Sequence, residues 1–196
     1  MTRWQTLHMT RRCEGTMDGL EHVAFLSLGS NLGDRLTTLR AAVRTLTEHS
    51  EVHVALTSDV ASLYETSPVG CPADQPPYLN SVLRVRTSLA AIDFLAAVLS
   101  IETSLGRVRE ERWGPRVIDI DLLFLGDTVI DSPTLTLPHP RLHERRFVLE
   151  PLSELAADMI HPRSGVSIGA VAQRLRRDRE AGVVTRIAGP EWACSV

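Results

Sequence analysis

The stretch RWGPRVIDIDLLFL, residues 112–125, contains the strand on which the fold prediction rests. Apolar residues dominate between Val117 and Leu125, which predicts a strand, and side chains two residues apart on a strand share one face. Asp119 and Asp121 therefore project together. The opposite face is predicted to be buried and to consist of Ile118, Ile120, Leu122 and Phe124.

The segments upstream of this stretch alternate between strand and helix patterns. The apolar run 22–28 predicts a strand that ends in the turn Gly29-Ser30-Asn31, and Asp34 can cap the helix that follows. That helix has an apolar stripe at helical spacing, formed by Leu36, Leu39, Val43 and Leu46. Three further segments are predicted to be extended, namely residues 52–56, 60–64 and 79–87.

A second helix is predicted between Ser88 and Leu105. Ser88 is a good N-cap, and Gly106 stands where helices commonly end in a left-handed residue. The stripe on its buried side is predicted to consist of Ile92, Leu95, Ala96 and Leu99.

The pattern beyond residue 125 predicts a short hairpin and then short helices. The turn is expected at Gly126-Asp127 with 128–130 returning, and an amphipathic helix is expected near 168–175. The whole order is β-α-β-β-α-β with additions. It predicts an α+β, ferredoxin-like sandwich, in which helices cover one face of an antiparallel sheet and the other face is free to carry a site.

Composition sets the broad class. Residues 1–20 show no periodicity and are predicted to be a disordered extension, whereas 21–196 are predicted to form a single domain. The net charge of −3 argues weakly against wholesale nucleic-acid binding. Cys13, Cys71 and Cys194 lack the spacing of a disulfide framework or a zinc site, which favours a reducing cytoplasm. No apolar run has membrane-spanning length, and no secretory signal is evident.

The two acids of the strand are the sharpest candidates for chemistry. Two carboxylates this close repel each other unless a cation lies between them, and hard oxygen ligands suit Mg²⁺. The alternative is an exposed strand face with two solvated acids.

A cationic loop runs directly into that strand. Arginine forks match phosphate oxygens, and a loop with Gly and Pro can close over a ligand. The loop contains Arg107, Arg109, Arg112 and Arg116 around Trp113-Gly114-Pro115. With the two acids it indicates phosphoryl-type transfer, although no P-loop or kinase glycine loop is present. The alternative is a solvated basic loop balanced by Glu110 and Glu111.

Two further groups are weaker candidates. The segment 138–147 adds His139, Arg145 and Phe147. Tyr78 and Asn80 flank a loop rich in Pro and Gly and could stack on and hydrogen-bond a flat heterocycle, although an ordinary strand start is as good an interpretation.

Taken in order, these pieces resemble one family, the hydroxymethyldihydropterin pyrophosphokinases of folate biosynthesis. The resemblance covers about residues 22–160. The most specific string is RWGPRVIDID, residues 112–121. Similar strings are LGSNLGD at 28–34, YETSPVG at 64–70, YLN at 78–80, GRVR at 106–109, PHPRL at 138–142 and RRF at 145–147.

The resemblance implies a transfer of pyrophosphate from ATP to a pterin alcohol, with two Mg²⁺ ions held by Asp119 and Asp121. It implies a catalytic role for Arg107 and Arg116 as well as for the two acids. The nucleotide would contact Glu102, Arg109, Arg112, Trp113, Leu122, Thr136, His139 and Arg145. The pterin would contact Gly29, Thr66, Val69, Tyr78, Asn80 and Phe147. A cytoplasmic monomer that binds neither nucleic acid nor membrane is expected.

Rival interpretations and departures remain at this stage. An RNA-binding module has the same fold order, but only 5% of residues are aromatic and the RNA-binding strand motif is missing. A non-catalytic pterin- or nucleotide-binding relative is the other alternative. Arg146 stands where a small residue is expected, which leaves open whether it or Arg145 faces phosphate. The tail beyond about residue 160 lies outside the resemblance.

Overall fold

The computed structural model describes residues 22–56, 58–68, 75–107, 114–178 and 182–194. Its strands are β1 (His22–Ser30), β2 (Val52–His53), β3 (Leu63–Thr66), β4 (Tyr78–Thr87), β5 (Asp119–Leu125), β6 (Ile130–Asp131), β7 (Thr136–Leu137) and β8 (Val184–Ala188). Its α-helices are α1 (Arg35–Glu48), α2 (Ala91–Ser104), α3 (Arg146–Ala156) and α4 (Ile168–Arg176). Two short 3-10 helices span Leu142–Glu144 and Pro190–Ala193.

The main sheet has the order β5-β1-β4-β3-β8, and every pairing in it is antiparallel. The second strand of the predicted pattern is interrupted: β2 and β3 both pair with β4, which shortens the predicted strand 52–56 to two residues. The order β1-α1-β2/β3-β4-α2-β5 confirms the predicted ferredoxin-like α+β fold.

One face of the sheet packs on α1 and α2. Asp34 caps α1 as predicted, since its carboxylate accepts a hydrogen bond from the Thr37 N–H at 3.1 Å. The stripe predicted for α2 was wrong by about one position, because Ile92 is 52% exposed. The helix buries Phe94, Val98, Ile101 and Glu102 instead. This rotation places the aromatic ring of Phe94 fully in the core.

The predicted start of α2 was also wrong. The helix begins at Ala91 with Ala90 as its N-cap, and that cap lacks a side-chain hydrogen bond. Thr87 closes the preceding turn by accepting a hydrogen bond from Leu89 N–H at 3.1 Å, which keeps Ser88 outside the helix. Gly106 follows the C-cap with φ +87° and so ends the helix as predicted.

The other face of the sheet is partly covered by α3 and α4, which corrects the prediction of a free face. A bulge in β5 contributes to this second core. The pairing shifts so that Leu26 faces Leu122 and Phe25 faces Phe124, and Leu123 is the extra residue. Phe124 therefore packs with Leu123 against α3 and α4 and does not share the buried face of Ile118, Ile120 and Leu122 as predicted.

The predicted hairpin at Gly126-Asp127 was placed wrongly. The turn exists, but the chain then leaves β5, and Ile130 pairs with Leu137 in a separate two-stranded sheet. The predicted amphipathic helix near 168–175 is confirmed as α4.

The tail beyond residue 160 is built into the described fold. Strand β8 pairs with β3 at the sheet edge. The Trp192 side chain is buried and donates from Nε1 to the carbonyl of Ala61 at 2.9 Å, while Arg40 donates to the Trp192 carbonyl at 2.7 Å. In the part of the chain that the structure describes, no helix is both long and apolar enough to cross a membrane.

Candidate active site

A cavity of about 120 Å³ opens on the sheet face that α3 and α4 leave uncovered. It lies where β1 ends and β4 and β5 begin, and the start of α3 forms a side wall. Its lining combines Ser27, Gly29, Thr66, Ser67, Tyr78, Asn80, Gly114, Arg116, Asp119, Asp121, Arg141, Glu144, Arg145 and Phe147.

The two strand acids share this cavity, as the two-residue spacing predicts. In the sheet Gly29 is opposite Asp119 and Ser27 is opposite Asp121. The carboxylate side chains are 25% and 32% exposed, so both can be reached from the cavity.

Among the described residues, three arginines surround the acids. Arg107 and Arg116 lie 2.8 and 2.7 Å from the two carboxylate oxygens of Asp119, and Arg145 lies 2.7 Å from Oδ2 of Asp121. The acids come from one strand, whereas the arginines come from the loop before it and from the turn before α3. The chain thus brings five charged groups together from three separate segments.

The surroundings of Asp119 favour its neutral form. Burial raises the pKa of Asp119 above its ordinary value, and the Asp121 charge raises it further, whereas Arg116 and Arg107 oppose the shift. His139 lies 3.9 Å from Asp121 and has a lowered pKa, mainly because of burial, which outweighs the attraction of Asp121.

The donor set fits Mg²⁺. Within the described ranges no cluster of three or more His, Cys, Asp or Glu residues could hold a metal by itself. Mg²⁺ usually takes one or two carboxylates and completes its shell with water and substrate phosphates, so two carboxylates such as Asp119 and Asp121 would be enough to hold it. An added positive charge would also relieve the repulsion that raises the pKa of Asp119.

Glu102 links α2 to β5 and to Arg107. Its side chain is buried in α2, accepts a hydrogen bond from Ile120 N–H at 2.7 Å and pairs with Arg107. It therefore anchors β5 and one of the arginines that face Asp119. The other carboxylate oxygen, Oε2, is buried and has no hydrogen-bond partner in the structure described.

The remaining predicted nucleotide residues are spread more widely. The Leu122 side chain is buried in the core on the α1 and α2 side of the sheet. Thr136 and His139 line a larger groove that adjoins the cavity and extends toward α4. Arg109, Arg112 and Trp113 lie outside the described residues.

The opposite end of the cavity has a different chemistry. Tyr78 and Phe147 contribute aromatic rings, and Arg145 stacks 5.8 Å from the centre of the Phe147 ring. Asn80 is buried and donates from Nδ2 to Thr66 Oγ1 at 2.7 Å, which fixes the orientation of its amide. The predicted contact Val69 lies outside the described residues.

Gly29 leaves room for the side chain of Asn80 in the cavity. A Cβ placed on Gly29 would lie 3.0 Å from Asn80 Oδ1, closer than nearly all such contacts. A larger residue at position 29 would therefore press on the Asn80 amide.

Asn31 joins the two loops that border the cavity. Its Oδ1 accepts a hydrogen bond from Arg116 N–H at 2.7 Å, and its Nδ2 donates to Gln75 at 3.2 Å. Asn31 is buried, so the turn after β1 holds the backbone of Arg116 beside Asp119.

The structure separates the two adjacent arginines at the start of α3. Arg145 faces Asp121, whereas Arg146 donates to Glu150 at 3.1 Å and to the Gly182 carbonyl at 3.3 Å. Arg145 is therefore the one that lines the cavity.

Sequence reasoning missed several lining residues, namely Ser27, Ser67, Gly114, Arg141 and Glu144. Ser27 could have been found, because it is two residues before Gly29 on the same strand face. The others lie on loops and a turn, for which periodicity gives no orientation.

Comparisons with known proteins show which family this chain is similar to. Residues 25–157 match the model of the family described as 7,8-dihydro-6-hydroxymethylpterin-pyrophosphokinase (HPPK). The 2-amino-4-hydroxy-6-hydroxymethyldihydropteridine pyrophosphokinase of Bacillus subtilis is 46% identical over 69% of this chain and 79% of its own length. The protein of the same name from Haemophilus influenzae is 39% identical over 76% of this chain and 91% of its own length.

The fold comparison is consistent with these matches. A crystal structure of Plasmodium falciparum HPPK-DHPS A437G superposes with a TM-score of 0.68 at 14% identity, over 88% of this chain and 50% of that one. The chain thus spans about half the length of that protein, and the likeness concerns the fold alone. Because the family model covers more than half of this chain, the chain belongs to the 7,8-dihydro-6-hydroxymethylpterin-pyrophosphokinase family.

Proposed function

We propose that this protein transfers a pyrophosphoryl group from ATP to 6-hydroxymethyl-7,8-dihydropterin, a step of folate biosynthesis. The hydroxymethyl oxygen attacks the β-phosphorus of ATP, and the bond from that phosphorus to the α,β-bridging oxygen breaks. AMP leaves with the bridging oxygen, the hydroxyl proton passes to solvent, and the pterin diphosphate remains.

The observation that carries this proposal is the cluster of two acids and three arginines on one sheet face. Asp119 and Asp121 are the proposed metal ligands, and bound Mg²⁺ would neutralise phosphate charge during the transfer. Two ions per site are proposed, as the resemblance to the family implies.

The arginines have a complementary role. Guanidinium groups form strong charge-assisted hydrogen bonds with phosphate oxygens, so Arg107, Arg116 and Arg145 would exchange carboxylate partners for the triphosphate. We assign them to holding the nucleotide tail and stabilising the charge that develops on it. Glu102 and His139 would support the same subsite, and Arg109, Arg112 and Trp113 would belong to the loop that closes over it.

The aromatic end of the cavity suits the pterin. Tyr78 and Phe147 offer rings for stacking, while Asn80 and Thr66 offer hydrogen-bonding groups for the edge of the heterocycle. Gly29 would leave room for the substrate next to Asn80. Catalysis would then depend on positioning and charge neutralisation, without a strong general base.

The assay is conversion of ATP to AMP in the presence of Mg²⁺ and 6-hydroxymethyl-7,8-dihydropterin. We expect one AMP for each pterin diphosphate, and little AMP when the pterin is omitted. Release of ADP instead of AMP would contradict the proposal, as would substrate binding without turnover, which is the result expected of a non-catalytic relative. We propose that this protein is a cytoplasmic monomer, which gel filtration and cell fractionation can test.

A further inference from the structure

A short segment near the C-terminus pairs with the end of β3, and that end of β3 lines the cavity. This segment, residues 182–184, is called the strap below. Val184 pairs with Thr66 in the sheet. Next to this pair, Ser67 N–H donates to the Val183 carbonyl and Val183 N–H donates to Ser67 Oγ, both at 3.2 Å. The strap therefore holds the end of β3, where Thr66 and Ser67 line the cavity.

The strap is also joined to the facing wall. Arg146 donates from its guanidinium to the Gly182 carbonyl at 3.3 Å. Arg146 is the first residue of α3 and stands between Arg145 and Phe147, which both line the cavity. The strap thus connects the wall that contains Thr66 with the wall that contains Phe147.

A buried carboxylate orients the connecting arginine. Glu150, whose side chain is 9% exposed, accepts hydrogen bonds from Arg146 at 3.1 Å and from Arg176 of α4 at 2.7 Å. The contact with Glu150 restricts the rotamers of Arg146, so its guanidinium is already oriented toward the Gly182 carbonyl.

We infer that Arg146 and the strap are positioning elements for the pterin, because they fix the spacing between the two cavity walls that hold it. The inference rests on the proposed function. The strap lies beyond the family match, which stops at residue 157, and Arg146 faces away from Asp119 and Asp121. Stacking and edge hydrogen bonds both require a fixed spacing of the groups that make them.

The position of the strap in the sheet makes the expected effect selective. The sheet order is β5-β1-β4-β3-β8, so the strap borders one side of the sheet and the acids on β5 lie at the other. Loss of the strap contacts should weaken the pterin and leave the nucleotide nearly unaffected.

The test uses the full chain with Arg146→Met and, separately, Val183→Pro. Arg146→Met removes the hydrogen bond to Gly182, and Val183→Pro removes the N–H that donates to Ser67. The dissociation constant of 6-hydroxymethylpterin is measured by fluorescence with Mg²⁺ and saturating α,β-methylene-ATP, in which the bond that would break is replaced. We expect the dissociation constant of the pterin to rise about tenfold in both variants. The dissociation constant of the nucleotide analogue, measured without the pterin, should change less than about twofold.

Three control variants separate positioning from simple loss of stability. Arg176→Met weakens the Glu150 cluster but leaves the Gly182 bond, so pterin affinity should be retained although the melting temperature falls. Val183→Ala trims a side chain that is 67% exposed and keeps the backbone N–H, so its pterin affinity should be that of the wild type. Arg146→Lys should recover part of the lost affinity.

Pterin affinity that follows melting temperature across the whole set would overturn the inference, as would equal weakening of pterin and nucleotide. Failure of Val183→Pro to fold leaves Arg146→Met as the deciding variant. If the wild-type protein does not bind the pterin, the proposed function itself is wrong. If the wild type binds it and Arg146→Met binds it equally well, only the role of the strap is rejected.

Discussion

Two clusters of arginines and acids adjoin at the start of α3, where Arg145 belongs to one and Arg146 to the other, yet they serve opposite purposes. In the cavity, Asp119 and Asp121 stand side by side, and the pKa of Asp119 is raised by burial and by its neighbour. At the α3–α4 contact, a single carboxylate, Glu150, lies between Arg146 and Arg176. Burial alone would raise the pKa of Glu150, but hydrogen bonds from Arg176 and Arg146 outweigh it, and the pKa is lowered.

The difference teaches how the same residue types can serve binding or stability. An acid surrounded by enough cations is satisfied in the folded protein and contributes to folding. Asp119 remains poorly satisfied even with Arg107 and Arg116 beside it, which favours a ligand that supplies more positive charge to the acids and negative charge to the arginines. The four predictions below test this contrast.

The largest expected effect is on turnover when an acid of the cavity is removed. Asp119→Ala should lower kcat about a thousandfold, or about 4 kcal/mol in the barrier, because a metal ligand is lost. Its melting temperature should change little, since the substitution also removes a like-charge repulsion. AMP release and thermal unfolding are measured on the same preparation. Turnover within about tenfold of the wild type in Asp119→Ala and Asp121→Ala alike would reject the proposed metal role.

The next effect is on stability at the other cluster. Glu150→Ala should lower the free energy of unfolding by about 3 kcal/mol, because two arginines at the helix contact lose their shared carboxylate. Turnover at saturating substrates and at a temperature where the variant is folded should stay close to that of the wild type. Urea unfolding gives the free energy, and a thousandfold loss of turnover here would erase the contrast between the clusters.

The sequence predicts those features of the fold and the site that follow from local backbone geometry. The pair Asp119 and Asp121 was predictable because strand geometry alone puts alternate residues on one face. The bulge at Leu123 was not, because one extra residue changes which face is buried without changing the composition. The α2 stripe failed for a related reason: several apolar residues surround that helix, and only the packing of Phe94 decides which ones are buried.

The α3–α4 cluster was beyond sequence reasoning for a different reason. Arg146 and Glu150 have the spacing of a helical ion pair, but Arg176 and Gly182 are distant in sequence and meet them only through the fold. The strap and the rest of β8 form an exposed sheet edge, with Val183 and Ile187 67% and 50% exposed, so this segment lacks the apolar alternation of a buried strand. Polar contacts between residues distant in sequence leave no periodic pattern, so they cannot be predicted from one sequence.

Acid should affect the Glu150 cluster in a defined window. The pKa of Glu150 is lowered in the folded protein, so the unfolded chain binds the proton first as the pH falls. The stabilisation is complete above the ordinary carboxylate pKa of about 4.5 and is lost as the pH drops through the lowered value. Melting temperatures from pH 7 to pH 3 should therefore fall less steeply in Glu150→Gln than in the wild type, and parallel curves would show that Glu150 does not contribute.

The smallest effect on stability comes from matched arginine substitutions in the two clusters. The Arg176 side chain is 50% exposed, so Arg176→Met should cost about 1 kcal/mol or less and leave turnover unchanged. The same change at Arg116, which faces Asp119 at 2.7 Å, should also cost little stability, yet it should lower kcat about a hundredfold because a phosphate-binding group is lost. Unfolding free energies and kcat values for the two variants form the measurement. If both arginines proved equally dispensable for turnover, the charge at Arg116 would be structural like that at Arg176, and the cavity cluster would differ from the α3–α4 cluster in its carboxylates alone.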